Sequence, residues 1–474
     1  MKSALIRKDS LVLRREFLLK ALLAAVIALA LISVMTGLQR ERVFLHERAE
    51  AERIDKEVWM GQGERNPHSA AHFSRYAFRP PSPLALLDPG TSDFAGLAIW
   101  MEAHYQDPAV FRRAEDGGEL SRYVMLSPAF LLLTAAPLLI FLMMHASVAG
   151  EREDGTLRQL LAAGVRRGHF FVGKFRAGWD ITMLVYTPIF LLMAGCSLAA
   201  SPAELSADTV FRLLAMYVAY AAYLSISVAV AIGVSALCRT RQAAFLALAG
   251  VWAVMTVLVP RFATDVGTTL TPQPDARQTE RDLRAAAMVL SRDKERQQQI
   301  KDDVLARYGV EDEADLPINY SAYRLQVSEE LSIPEFERVY GALEDRYRAQ
   351  EGVLRWFSVL SPTIATASLS RGMAATDRVH QRAFTVSAEL HRRDMIKLLN
   401  EDYMHNAGDA GSKYTADEAL WARFDDFDHP IPGLVSIGGR YIADAALLLM
   451  WLCIAMLAGY GCVRRAVATE AKAA

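Results

Sequence analysis

GEREDGTLRQLLAAGVRRGHFFVGK, residues 150–174, is a short charged stretch with apolar sequence on both sides. Residues 123–147 precede it and residues 179–200 follow it. Each run has the roughly 20 residues that a helix needs to cross a bilayer. The stretch therefore joins two spans, and that reading sets the class of the whole chain. Glu151, Glu153 and Asp154 stand where a helix would begin, and the helix dipole favours negative charge there. Leu157, Leu160 and Leu161 fall on one stripe. Arg166, Arg167 and Lys174 lead into the next span. Such a helix lies flat at a membrane surface and offers a rigid knob to a protein partner. A basic amphipathic segment also binds lipid surfaces with no partner at all.

Working outward, residues 17–38, 209–237, 243–261 and 438–463 are further apolar runs, giving six spans. Hydrophobic residues make up 52% of the chain and charged residues 22%. That mixture fits membrane spans joined by sizeable aqueous parts. The first run is long, ends on the charged QRERVFLHERAE and carries no small-residue cleavage pattern. It reads as a retained anchor, not a signal peptide. The expected fold is an all-α integral membrane protein with six transmembrane helices and two extracytoplasmic insertions, the larger one helical.

Orientation follows from Lys and Arg near the spans. Residues 1–16 hold Lys2, Arg7, Lys8, Arg14 and Arg15, and residues 148–178 hold Arg152, Arg158, Arg166, Arg167, Lys174 and Arg176. Arg239 and Arg241 join the fourth and fifth spans, and the tail 464–474 holds Arg464, Arg465 and Lys472. Six alternating spans put all of these on one side, the cytoplasm, with both termini. Residues 39–122 and 262–437 fall outside. They carry 11 basic and 14 acidic, and 21 basic and 30 acidic residues, so neither is a basic surface of the kind that binds nucleic acid. Cys196, Cys238, Cys453 and Cys462 lie in or at the ends of spans and read as small apolar packing residues, with no disulfide framework.

In the first insertion, residues 39–60 have helical spacing and extend the first span. NPHSAAHFSRYAFRPPSPLALLDPG, residues 66–90, is rich in turn formers, and Pro80, Pro81 and Pro83 exclude a regular helix. Residues 91–112 are expected to be helical again. In the second, residues 276–309 and 320–351 predict two long polar helices around the turn EDEADLPIN, and 374–405 predict another. SRDKERQQQIKDD, residues 291–303, reads as a solvated helix face.

EREDGTLRQLLAAGVRRGHFFVGK resembles the coupling region of type 2 ABC transporter permeases. That family has six spans, an amphipathic entry helix, an acidic-GTL motif after the second span and a Lys before the third. Residues 1–16 would be the entry helix. Glu151, Glu153, Gly155, Thr156 and Leu157 match the motif, and Lys174 matches the later Lys. Residues 66–90 and SPTIATASLSRGMAATD, residues 361–377, resemble a subgroup with two enlarged outside loops. The resemblance implies a multi-pass protein of the bacterial inner membrane, an exporter working with a second permease, itself or a related chain, among membrane lipids. It also implies a separate cytoplasmic ABC ATPase that holds ATP and Mg and drives residues 151–165, with Leu160 and Leu161 in the transmitting stripe. No GxxxxGK[ST] loop is present, so no cofactor and no catalytic residue is expected on this chain. Two other readings stand beside transport. A mechanotransmitter would move its outside domains without passing substrate. A membrane-bound hydrolase lacks GxSxG and HExxH.

Two residue pairs remain. His68 and His72 stand at i and i+4, the spacing of a metalloprotease pair, but residue 69 is Ser and spacing shows no third ligand. No metal set is read there. Hydrogen bonding in a polar loop is the plain reading, and substrate contact, with His46 and His104 as helpers, is the functional one. Arg440 and Asp444 are expected to form an interfacial ion pair or a polar site on the translocation path. Asp180 is expected at the interface.

Overall fold

The computed structural model describes residues 6–9, 11, 17–112, 126–201 and 205–473. The chain is 77% helical and almost without strands. Among the described residues, six helices are long and apolar enough to cross a membrane: Lys20–Met60 (span 1), Pro128–Glu153 (span 2), Gly168–Ala200 (span 3), Ala207–Leu237 (span 4), Arg241–Leu270 (span 5) and Leu434–Glu470 (span 6). They coincide with the six apolar runs and overrun them. The first helix, Phe17–Met60, has 44 residues, about 66 Å at 1.5 Å per residue. That is twice the hydrocarbon thickness, so its far half stands clear and carries the first insertion. The longer or functionally placed helices beyond these are α1 (Pro67–Phe73), α2 (Ala149–Glu153, the last turn of span 2), α3 (Thr156–Ala162), α4 (Ala276–Ala287), α5 (Lys294–Tyr308), α6 (Tyr320–Phe357), α7 (Pro362–Met373) and α8 (Arg378–Asn406).

Prolines shape two spans. Pro137 in span 2 would clash with the carbonyl four residues back, Leu133. The helix widens to a π turn over Leu131–Ala135, and Tyr223 of span 4 donates to Leu133 O at 2.9 Å. In span 5 the π segment Ala253–Leu258 precedes Pro260. Pro260 has no N–H to give Met255 O, and Ser361 Oγ donates there instead at 2.5 Å. Span 4 is the core of the bundle, with Tyr220, Leu224, Val228 and Ile232 buried. It meets span 6 at Gly233 and Gly459, where a Cβ on Gly233 would come 3.2 Å from the other Cα.

Helix α7, part of the second insertion in the sequence reading, lies inside this bundle. Leu369 and Met373 join the same core as spans 2, 3, 4 and 6. Its polar side chains are all answered: Thr363 by Tyr223 Oη at 2.9 Å, Ser370 by Tyr220 Oη at 2.8 Å and by Asp88 Oδ2 at 2.5 Å. Met255, which meets Ser361 at the start of α7, is about 21 Å along span 5 from its Arg241 end. The helix thus reaches well within a hydrocarbon layer of about 30 Å. Residues 66–90 and 361–377 therefore meet in space. Thr376 Oγ1 donates to Asp88 O at 2.9 Å, and Gly90, at φ +53, leaves no room for a Cβ beside Thr376.

The insertions share one core, built by Trp59, Ala70, Ala71, Met101, Phe384, Met395, Leu399 and Trp421 among others. Trp59 Nε1 donates to Trp421 O at 3.0 Å and Trp421 Nε1 to Gly63 O at 3.1 Å. Residues 91–112 are not the expected helix. Ala98–Trp100 (β2) pairs antiparallel with Tyr76–Phe78 (β1), Tyr76 opposite Trp100. The run Leu97–Met101 buries the adjacent Ala98 and Ile99 and then Met101, as a short strand covered on both faces does and a one-faced helix does not. The long helix expected over 276–309 breaks at Met288 and Asp293, both at φ −107. The helix expected over 374–405 begins at Arg378, capped by the Asp377 side chain.

Candidate functional site

Residues 145–174 form a corner that is tied to every neighbouring span by charge. Ser235 of span 4 accepts Val148 N–H and Ala149 N–H, each at 3.0 Å, and donates to His145 O at 2.6 Å. That one hydroxyl fixes the turn between the body of span 2 and α2. Helix α2 ends at Glu153, and Gly155 adopts φ +74 before α3 begins. The region is therefore two short helices with a left-handed hinge, not the single helix expected from residue 151 onward. A non-glycine residue would be strained at that hinge.

The matched motif residues come together around Lys174, which is 4% exposed. Its ammonium lies 2.7 Å from Glu151 Oε1 and 2.9 Å from Asp9 Oδ1. Lys8 reaches the same Glu151 oxygen at 2.5 Å, and Thr156 Oγ1 donates to the other Glu151 oxygen. Acidic residue, Thr and Lys, far apart in the motif, are one buried cluster. Arg152 donates to Ala236 O at 3.2 Å and to Cys238 O at the end of span 4, and meets Glu470 at 3.1 Å. Arg158 meets Glu470 as well, at 3.1 Å. Glu153 accepts Arg241 N–H at 3.0 Å, and Asp154 pairs with the Arg241 guanidinium. Spans 3, 4, 5 and 6 are all tied to α2 and α3.

The leucine stripe is turned inward. Leu157 is fully buried, and Leu160 and Leu161 pack against the chain's own bundle core. They do not form the outward apolar knob expected from the sequence. The exposed edge is the opposite one: Asp154, Arg158, Gln159, Ala162, Ala163 and Arg166. Glu151 likewise serves the chain's own lysines.

Arg440 and Asp444 do not pair. Residues Gly438–Tyr441 are a 3-10 turn, so the i,i+4 geometry of an α-helix is absent there. Asp444, 2% exposed, takes Arg355 at 3.1 Å and Ser368 at 2.8 Å. Arg440 is exposed. Asp180 pairs with Arg176 at 2.8 Å on an exposed helix face. Sequence reasoning passed over Arg212, a lone buried cation in span 4. It pairs with Asp208 at 2.5 Å and donates to Gly372 O at 3.1 Å and Pro432 O at 2.6 Å, closing the last turn of α7 onto the span. Arg212 also borders a cleft of about 420 Å³, with Arg48, Pro83, Asp208 and Ile431. A single arginine in an otherwise apolar run was the available signal.

In the insertions, His68 and His72 face one side of α1, and His104 joins them. The ring centroids lie 4.7, 5.2 and 5.4 Å apart. Burial, then the charges His104 and His72 would carry, push the His68 imidazole down to about 4. Burial and His104 lower His72 too. Burial alone would raise the Glu329 carboxyl, but the bonds from His104 and the charge of Arg392 outweigh it and bring it to about 2.

Six membrane helices, with the charged corner between the second and third tied to the others, define a multi-pass membrane protein. Residues 105–271 match the family described as ABC-2 family transporter protein, and residues 276–430 match a domain of unknown function (DUF3526). Over residues 105–271 the chain is similar to the type 2 ABC transporter permeases, membrane transport components of a family that partners an ATPase subunit. No curated protein matches it.

Proposed function

We propose that this permease is the membrane half of an ATP-driven exporter of the bacterial inner membrane, with both termini cytoplasmic and both insertions on the far side. A separate ATPase, holding ATP and Mg, docks on the exposed edge of α2 and α3 and drives the spans through them. The observation that carries this reading is the buried Glu151–Lys174 pair together with the links from Arg152, Glu153 and Arg158 to spans 4, 5 and 6. A displacement of α3 cannot be absorbed locally while those bonds hold. A second permease, identical or related, would cover exposed apolar residues of span 5 such as Leu246, Leu258 and Phe262, which lipid covers otherwise.

The chain purified alone should not hydrolyse ATP, and its complex should. Hydrolysis by the isolated chain at the rate of the complex overturns the proposal. Sidedness is tested with Gln298→Cys and Ser412→Cys in a cysteine-free background, both at exposed positions. An impermeant maleimide should label both in intact cells; protection until lysis overturns the orientation.

One observation favours the mechanotransmitter reading. Helix α7 packs against spans 2 and 4 and is hydrogen-bonded to spans 4, 5 and 6 as a seated wedge, so span motion would reach the outside domain directly. Cross-linking Ser368→Cys to Asp444→Cys pins α7 to span 6. An ATPase cycle that survives the cross-link supports this reading; a cycle that stops requires α7 to move, as opening a path would.

A further inference from the structure

The three histidines are assembled by three independent local devices. Asn66 caps α1 by accepting His68 N–H at 3.0 Å and ties its own amide to Tyr414 O at 3.1 Å. Ala70 and Ala71 on α1 are fully buried, which leaves His68 and His72 one turn apart on a more open side. The segment after β2 is pinned alongside: Met101 N–H bonds Arg75 O at 2.9 Å and Ala103 N–H bonds Ala71 O at 3.1 Å. His104 follows immediately, at φ +64, a left-handed conformation that costs a β-carbon residue free energy and marks a position held for a reason.

The His104 ring is also oriented. Its Nδ1 lies 2.9 Å from Glu329 Oε1, and Glu329 is held by Arg392 at 3.1 Å. A carboxylate on Nδ1 fixes the proton there and leaves the Nε2 lone pair free, the usual support for a metal-binding histidine. The ligand nitrogens of His68, His72 and His104 all lie within 4.8 Å of one another. Two nitrogens on a tetrahedral zinc at about 2.1 Å stand about 3.4 Å apart, and the exposed His72 has the freedom to close that gap. Three imidazoles with no thiolate suit zinc among divalent ions.

We propose that His68, His72 and His104 bind one zinc-class divalent cation on the insertion domain, with Glu329 as the supporting carboxylate and a fourth coordination position open beside His72. The site takes water or an oxygen or nitrogen donor of a ligand at that position. It also couples the two insertions, since the histidines come from the first and Glu329 from the second. The proposal is independent of the direction of transport.

The full chain, purified with a tag free of histidine, is exposed to Zn²⁺, washed and assayed for metal by mass spectrometry; Co²⁺ loading is followed by its visible absorption. One equivalent per chain is expected. His72→Ala removes an exposed ligand and should lower affinity at least about tenfold, with the Co²⁺ spectrum lost. Glu329→Gln keeps all three ligands and should weaken binding about 10- to 100-fold. His405→Ala, an exposed histidine elsewhere on α8, should change nothing. Absence of bound metal in the unaltered chain, binding unchanged by His72→Ala, or equal loss in His405→Ala overturns the site.

Discussion

Lys174 and Arg392 are both buried cations between two carboxylates, and they are built differently. Lys174 takes Asp9 from the N-terminal segment and Glu151 from α2, while standing itself on the span 3 helix. Every partner belongs to a different element. Arg392 takes Glu389 one turn away on its own helix, at 2.8 Å, and Glu329 from the neighbouring α6. Glu389 keeps a second cation, Arg393, at 2.8 Å. The first arrangement cross-links elements that would separate without it. The second orients side chains within a packed domain, and its endpoint is the ring of His104. The same chemistry serves as a mechanical link in one place and as a positioning frame in the other.

The largest effect should come from cutting each cation. Removing one partner of a buried pair costs about 3–5 kcal/mol because the other charge stays desolvated. Lys174→Met should fall near the lower end, since Lys8 still reaches Glu151. Arg392→Met should cost a similar amount, because Arg393 and His104 still serve the two glutamates. Thermal unfolding would read the loss in both. ATPase stimulation by the permease would separate them: a drop of about tenfold or more for Lys174→Met, and little change for Arg392→Met. Equal loss of stimulation in the two would erase the distinction between link and frame.

The spans were legible because an apolar run of the right length has one stable solution in a bilayer. The motif residues were legible as a set, but not as a contact: nothing in their spacing puts Lys174 against Glu151. The leucine stripe was legible as a stripe, while the surface it covers was not, since periodicity gives a face and not its partner. Helix α7 escaped because its Ser and Thr residues look polar; Tyr220, Tyr223 and Asp88 satisfy them from other elements. His68 and His72 were visible as an i,i+4 pair. His104, named there only as a helper, reaches them through backbone bonds of the segment after β2, which the sequence presented as a helix.

A smaller effect tests the hinge in the same corner. Gly155 has φ +74 and Gly164, beyond α3, has φ +82; a Cβ at either would touch nothing within 4 Å. Alanine at each should therefore cost only the left-handed penalty, about 1–2 kcal/mol. Gly155 joins the Glu151–Thr156 bond to the helix that Thr156 begins. Gly155→Ala should reduce ATPase stimulation severalfold, and Gly164→Ala should leave it near normal. The opposite ranking would move the hinge to the far end of α3.

The smallest effect concerns the rim. Glu153 is exposed and accepts Arg241 N–H at 3.0 Å, where the helix of span 5 begins. A carboxylate at a helix N-terminus is worth about 0.3–1 kcal/mol. Glu153→Lys removes it and sets a cation beside the positive end of the helix and beside Arg241. The bundle does not rest on this contact, because Asp154 still pairs with Arg241 and Lys174 is untouched. Folding should be unaffected within about 1 kcal/mol. If the exposed edge of α2 and α3 meets the ATPase, the reversed charge should also weaken co-purification and lower stimulation in part. Glu295→Lys on α5, equally exposed, also in the first turn of a helix and far along the chain, carries the same charge change away from the α2–α3 edge and should leave both readouts intact. Indistinguishable behaviour of the two variants, each with a fully active complex, would take the docking edge away from Glu153 and leave the buried lysine cluster as a structural tie alone.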